Sequence, residues 1–273
     1  MIGKSAYRGL ISTMSRTHPV LLLLDTYPSL AAWSFRLLAN SYTGNCCRIR
    51  RSSDDAELNI GFVSGVVDTA AIDAHCAATN GYVTTWYDQM GSNNAVRSVK
   101  TDQPLICTSG VTEVSAYNGL PAMKFATSDF FNLTTGIATT QLYYHSFVFD
   151  RASAINSNGI AYQGGQSPRP FLWYLSNTTY SVMGSINVHD ASQTQTGDFL
   201  VTSLRDSSDN NKMWINGTAK TTKIYANVAQ TLDSIAGYYG HGGYMQEVIY
   251  FNSDQESNRS GIETDTNTYY SIW

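Results

Sequence analysis

The 273-residue chain predicts an all-β protein, a two-sheet antiparallel sandwich carrying a few short helices. Three observations carry that prediction. First, from residue 82 onward short runs of β-branched, aromatic and aliphatic residues alternate with turn formers at the spacing of a sandwich. Second, residues 199–218 read as one hairpin. Phe199, Val201 and Ser203 alternate with Leu200, Thr202 and Leu204, residues 205–211 supply turn formers, and Lys212–Ile215 returns to a closing Asn216-Gly217. Third, only 14 % of residues are charged, while hydroxyl side chains and 18 tyrosines abound. That balance suits sheets with an uncharged, hydrogen-bonding surface.

Taken in order, residues 1–19 hold Lys4, Arg8 and Arg16 with no acid and no period, and predict an N-terminal arm. Residues 20–273 form a single domain, with no repeat and no linker to divide it. Val20–Leu24 is a short apolar run expected to be a buried strand. Pro28 suits a helix start, and Leu30, Trp33, Leu37 and Leu38 share one helical face, predicting a helix over 28–40. Strands follow at 46–51 and 57–63. Arg48, Arg50 and Arg51 face Asp54, Asp55 and Glu57, which predicts a solvated hairpin laced by cross-strand ion pairs. Asp68 caps a second helix over 68–78, stopped by Asn80-Gly81. The remaining strands are expected at 82–87, 104–107, 121–126, 141–150, 159–163, 170–175, 179–184, 198–205, 211–216, 233–239 and 244–251. A closing helix spans 255–270, with Ile262, Tyr269 and Ile272 as anchors.

Several function classes fall away at this level. A net charge of −4 argues against a nucleic-acid partner, which needs a clustered cationic face. The five histidines have no metal spacing and no C-x-x-C pair exists, so neither metal nor cofactor is expected. No Ser sits in a G-x-S-x-G turn. The apolar run at 20–24 is too short for a signal or a membrane span. Cys46 and Cys47, adjacent on a strand, are expected on opposite faces and unpaired. With Cys76 and Cys107 they read as free thiols of a chain folded in a reducing cytoplasm.

The hairpin at 199–218 resembles a signature element of the concanavalin A-like lectin/glucanase jelly rolls. A second likeness lies upstream. Tyr42-Thr43-Gly44 leads through Arg48–Asp54 to Asn59-Ile60, then Asp68-Thr69-Ala70-Ala71 and Cys76-Ala77 lead to Thr84–Gln89, Gly91 and Asn93-Asn94. That order resembles the N-terminal part of the catalytic domain of α-L-arabinofuranosidase B, glycoside hydrolase family 54, and similar modules of bacteriophage virion proteins. The likeness is concentrated over residues 22–95. It implies a jelly roll with a carboxylate nucleophile on a mid-domain strand, an acid in a Gly-Gly-Asp segment, and a disulfide after the second helix. The chain departs from each. No Glu occurs between Glu113 and Glu247, Gly237–Gly243 replaces the Gly-Gly-Asp segment, and Gly81 stands where the partner of Cys76 would be.

Asp88, Asp129, Asp150, Asp190, Asp198 and Glu247 are the remaining carboxylates from which a pair could be drawn. Glu247 is expected to share a face with Met245 and Ile249. Asp88 has an ordinary role as the cap of its Gly/Asn loop. For sugar binding, flat aromatic faces and short polar groups meet at Trp86, Tyr87, Asp88, Gln89, Asn93 and Asn94, and again at Tyr238, Tyr239 and His241; Trp173-Tyr174 is a further pair. No catalytic residue is assigned. The sequence-level expectation is a non-catalytic phage virion protein, a capsid decoration, head-fibre or tail component made in the host cytoplasm. It would bind a cell-surface glycan and, through the 1–19 arm, other virion proteins, in many symmetric copies or as a homo-oligomer. The alternatives are an arabinofuranosidase-type glycoside hydrolase with a relocated carboxylate pair, and a purely architectural decoration protein.

Overall fold

A computed structural model of the chain describes residues 21–138, 142–150, 158–162, 172–175, 178–183, 186–190, 197–220, 222–224, 231–236 and 242–273. The arm at 1–19 lies outside the described residues. Every strand pairing within them is antiparallel. The ladder is continuous. From the strand Asn210–Ile215 it runs through Asp198–Arg205, Tyr143–Asp150 and Gly243–Phe251 to Met123–Phe125, Leu105–Thr108 and Gly81–Trp86. It then turns through Ala95–Val96 into Phe131–Ala138, Thr231–Ile235 and Asn158–Tyr162. Folded over, it forms a β-sandwich. One core cluster draws Phe147 and Phe149 from one layer and Phe131, Leu232 and Ile235 from the other.

The outer face of the first layer is also covered. The closing helix Arg259–Tyr270 buries Ile262, Thr266 and Tyr270 against it, so all eight residues of Tyr143–Asp150 are buried. Most of the expected strands are found within three residues of their predicted ends; the one expected at 233–239 is Thr231–Ile235, residues 237–239 lying outside the described residues. The strands Phe131–Ala138 and Ile186–Asp190 are not among those expected.

Two N-terminal expectations are corrected. In the described part of the strand expected at Val20–Leu24, Leu23–Thr26 instead form one helical turn with Leu23 and Leu24 buried. The helix over 28–40 does not form. Ala31–Ser34 instead pair with Tyr250–Glu247 as an edge strand. All four residues are buried, because one face meets the sandwich core and the other the residues under the closing helix. Trp33 and Leu38, assigned to one helical face by spacing, enter different clusters. The second helix is where expected, Thr69–Cys76, with the Asp68 carboxylate accepting the Ala71 N–H at 3.0 Å. The charged hairpin carries its ion pairs: Arg48–Glu57 at 2.7 Å, Arg50–Asp55 at 2.8 Å and Arg51–Asp54 at 2.7 Å.

Cys46 and Cys47 do not face opposite ways. Cys46 donates its backbone N–H to Ile60, the residue already opposite Cys47, which breaks the alternation and brings both side chains into one core cluster. All four thiols are free and buried. No helix among the described residues is long and apolar enough to cross a membrane.

Candidate active site

The 86–94 segment is built into the fold. Trp86 is wholly buried and stacks on Phe35 with ring centroids 5.3 Å apart. Asp88 accepts the backbone N–H groups of Ala32 and Met90, each at 2.9 Å, and of Asn93 at 3.2 Å. Burial raises its carboxyl above the ordinary range and those amides hold it back. Gln89 is buried too, accepting from the Leu38 N–H and donating to the Ser34 and Arg36 carbonyls. These three side chains fix the edge strand Ala31–Ser34 to the strand Gly81–Trp86, and leave no face for a sugar. Tyr87, Asn93 and Asn94 are half-buried. The Tyr87 hydroxyl bonds Asn59 at 2.8 Å, and Asn94 Oδ1 accepts the Asp88 N–H at 3.1 Å. Tyr238, Tyr239 and His241 lie outside the described residues, as do the side chains of Trp173, Tyr174 and Asp190.

The carboxylates under the closing helix divide into two kinds. Glu247 is fully buried and saturated. Arg36 donates from Nε at 2.8 Å and Nη2 at 3.1 Å, Ser34 at 2.8 Å and Tyr270 at 3.2 Å. Arg36 also reaches Asp265 at 2.6 Å. Glu247 does not share a face with Met245, because a bulge opposite Val148-Phe149 turns Met245 into the sandwich core.

Asp150 and Asp198 are the other kind. They end and begin neighbouring strands and stand directly opposite each other in the ladder. Directly opposed side chains leave the sheet on one face with Cβ atoms about 4.5–5.5 Å apart. Neither makes an ion pair among the described residues. Asp150 accepts the Tyr244 N–H at 2.7 Å. Burial, and with it the Asp198 charge, pushes its carboxyl up to about 6 against that bond and the Lys124 charge. Burial raises Asp198 as well, opposed by the Ser115 hydroxyl at 2.6 Å and the Asn118 backbone. Its Oδ2 is buried with no hydrogen-bond partner in the described structure. A cavity of about 220 Å³ opens beside Asp198, bordered by Tyr117, Phe199, Asn216 and Ile272. The Tyr244 hydroxyl donates to Glu113 at 2.9 Å on the flank. Asp129, by contrast, caps its own turn through the Ala126 N–H at 2.7 Å.

Asp150 and Asp198 are visible in the sequence as candidates, but their pairing is a matter of register across 48 residues. Ser115 and Tyr244 carry no sequence signal. Among the described residues no group of three or more His, Cys, Asp or Glu side chains could hold a metal ion.

Comparison with known proteins bears on this site. The family model for the catalytic domain of α-L-arabinofuranosidase B matches residues 24–141. An arabinofuranosidase/β-xylosidase of Trichoderma koningii is 43 % identical over 72 residues, 26 % of this chain and 14 % of its own length. A probable α-L-arabinofuranosidase B of Aspergillus terreus is 43 % identical over 70 residues, 24 % of this chain and 14 % of its own. A glycoside hydrolase family 54 α-L-arabinofuranosidase, solved after soaking with 4-nitrophenyl α-L-arabinofuranoside, superposes with a TM-score of 0.68. It is 17 % identical and covers 92 % of this chain and 66 % of that one. The same type of enzyme with a cyclic sulfate inhibitor gives 0.65 at 18 % identity, with the same coverage. The sequence matches thus span a small part of those relatives, and the fold match about two thirds of the solved chains.

These findings overturn the expectation of a non-catalytic virion protein. The matched family and the relatives named above are glycoside hydrolases, and nothing in them points to a phage particle, a capsid or a tail. The part of the sequence-level reading they support is the arabinofuranosidase alternative. The chain has an arabinofuranosidase-like β-sandwich fold.

Proposed function

We propose that the chain is a glycoside hydrolase domain of arabinofuranosidase type, cleaving α-L-arabinofuranosyl groups with a relocated carboxylate pair, Asp150 and Asp198. The observation that carries the reading is their direct opposition on neighbouring strands, with no ion-pair partner among the described residues and with Asp198 bordering a cavity. Retaining glycosidases hold their carboxyl groups about 5–5.5 Å apart, and directly opposed strand residues, with Cβ atoms about 4.5–5.5 Å apart, bring two carboxyl groups near enough for such a pair. Asp198 is the nucleophile. Ser115 and the Asn118 amide support its ionised form, while Oδ2 is left unbonded for attack on the anomeric carbon. Asp150, which keeps its proton up to about pH 6, donates it to the departing oxygen and then serves as base for the incoming water. The family match over residues 24–141 supports the substrate class.

Hydrolysis of 4-nitrophenyl α-L-arabinofuranoside by the purified protein, followed by NMR of the first-formed sugar, tests this. Expected are turnover with retention of the anomeric configuration and a loss of about 10³-fold or more in kcat for Asp198→Asn and for Asp150→Asn. No turnover by the wild type, or turnover that both variants keep, would sink the proposal.

A further inference from the structure

The helix Thr69–Cys76 ends against the strand pair Gly81–Trp86 and Leu105–Thr108, in which Gly81 stands opposite Cys107. Gly81 has no side chain, and the Cys76 thiol fills the space. A Cβ placed on Gly81 would run into Cys76 Sγ and lie 3.2 Å from Cys107 Cβ. Cys76 Sγ and Cys107 Cβ thus border the same small space over Gly81, and both cysteines are buried. We infer that Cys76 and Cys107 are a cross-link site, closing to a disulfide when the chain folds in an oxidising medium.

The step balances with a glutathione disulfide as oxidant. The two protein thiols give up two protons and two electrons, one S–S bond forms between Cys76 and Cys107, and the glutathione disulfide is reduced to two glutathione thiols. The timing follows from the packing. Exchange proceeds through the thiolate, and burial, with Cys107 adjoining, pushes the Cys76 thiol up to about 12. The finished fold therefore reacts slowly, while the folding chain, its thiols still solvated, reacts as the helix docks. Once made, the bond would tie the helix to the sheet and close a loop of about 30 residues in the unfolded chain, a constraint that stabilises the fold.

The full-length protein is refolded in parallel in reduced glutathione and in a mixture rich in glutathione disulfide, then alkylated without reductant and mapped by peptide mass spectrometry. The expected result is a Cys76–Cys107 linked peptide in the oxidised sample only, with Cys46 and Cys47 alkylated in both. The melting temperature of that sample is expected to rise by about 5 °C or more. Cys107→Ser should abolish the linked peptide and the rise together. Four alkylated cysteines after oxidative refolding, or a bond mapping to Cys46 and Cys47, would overturn the inference.

Discussion

Two carboxylate sites sit on the same face of the same layer, and they are built on opposite principles. Around Glu247 every oxygen is answered by Arg36, Ser34 or Tyr270. Around Asp150 and Asp198 two acids meet with two backbone amides and one hydroxyl, and neither acid has an ion-pair partner among the described residues. Burying a charge is tolerable when it is paired and hydrogen-bonded, and costly otherwise. Glu247 therefore reads as a fastener between the edge strand Ala31–Ser34, the strand Gly243–Phe251 and the closing helix. The aspartate pair reads as a site held in tension, its protons retained above the ordinary carboxyl range. A carboxylate's full set of partners marks structure, and a missing partner beside a cavity marks chemistry.

The largest stability effect belongs to the fastener. Glu247→Ala leaves Arg36 buried with only Asp265 to face, and removal of one partner from a buried pair costs about 3–5 kcal/mol. Denaturant unfolding should show the midpoint falling with an unchanged slope. A loss below about 1 kcal/mol would erase the distinction between the two sites.

Asp150→Asn should have the opposite sign. The amide keeps an oxygen for the Tyr244 N–H and removes a charge from beside Asp198. A carboxyl displaced from about 3.9 to about 6 corresponds to roughly 2–3 kcal/mol of strain on the ionised form. A gain of about 1–2 kcal/mol at pH 7.5 is expected, alongside the loss of turnover. Equal or lower stability in the variant would mean that the pair is not under tension.

The same linkage gives a pH signature. Asp150 ionises near 6 when folded and near 3.9 when unfolded, so between those values the folded state holds the extra proton. Its contribution to stability is present below about pH 4 and is lost as pH rises through 6. The wild type should accordingly show a steeper decline in unfolding free energy between about pH 4 and 7 than Asp150→Asn, in which the buried Asp198 carboxyl still contributes. Because Asp198 is coupled to it, the wild-type curve should reflect two macroscopic steps. Superimposable curves for the two proteins would contradict this.

How much of this was legible in the sequence follows the range of the interactions. The helix Thr69–Cys76 and the hairpin at 47–60 were readable because cap, stop signal and ion-pair partners lie within a few residues. Ala31–Ser34 was not, since it is made a strand by Tyr250–Glu247, more than 200 residues away, which overrode a helical spacing of apolar residues. Phe131–Ala138 escaped because its register against Thr231–Ile235 shifts between Asn132 and Ile137, blurring the alternation. At the site, Asp150 and Asp198 were visible as residues, but only the ladder sets them opposite each other. Trp86, Asp88 and Gln89 looked like a sugar platform because composition cannot tell a buried aromatic beside a capped loop from an exposed one. Their Gly and Asn neighbours serve that cap.

The smallest effect is expected where charges are paired but wet. Arg48 and Glu57 meet at 2.7 Å across the hairpin, with side chains 47 % and 33 % exposed. Water already solvates both groups, so each loses little on separation, and holding two long side chains together costs entropy. Arg48→Ala and Glu57→Ala should each change stability by about 0.5 kcal/mol or less, and their double-mutant cycle should give a coupling of about 0.2–1 kcal/mol that fades in 1 M salt. A coupling near that of the Arg36–Glu247 pair would mean that burial is not what separates the fastener from the surface pairs. The contrast would then have to rest on geometry alone.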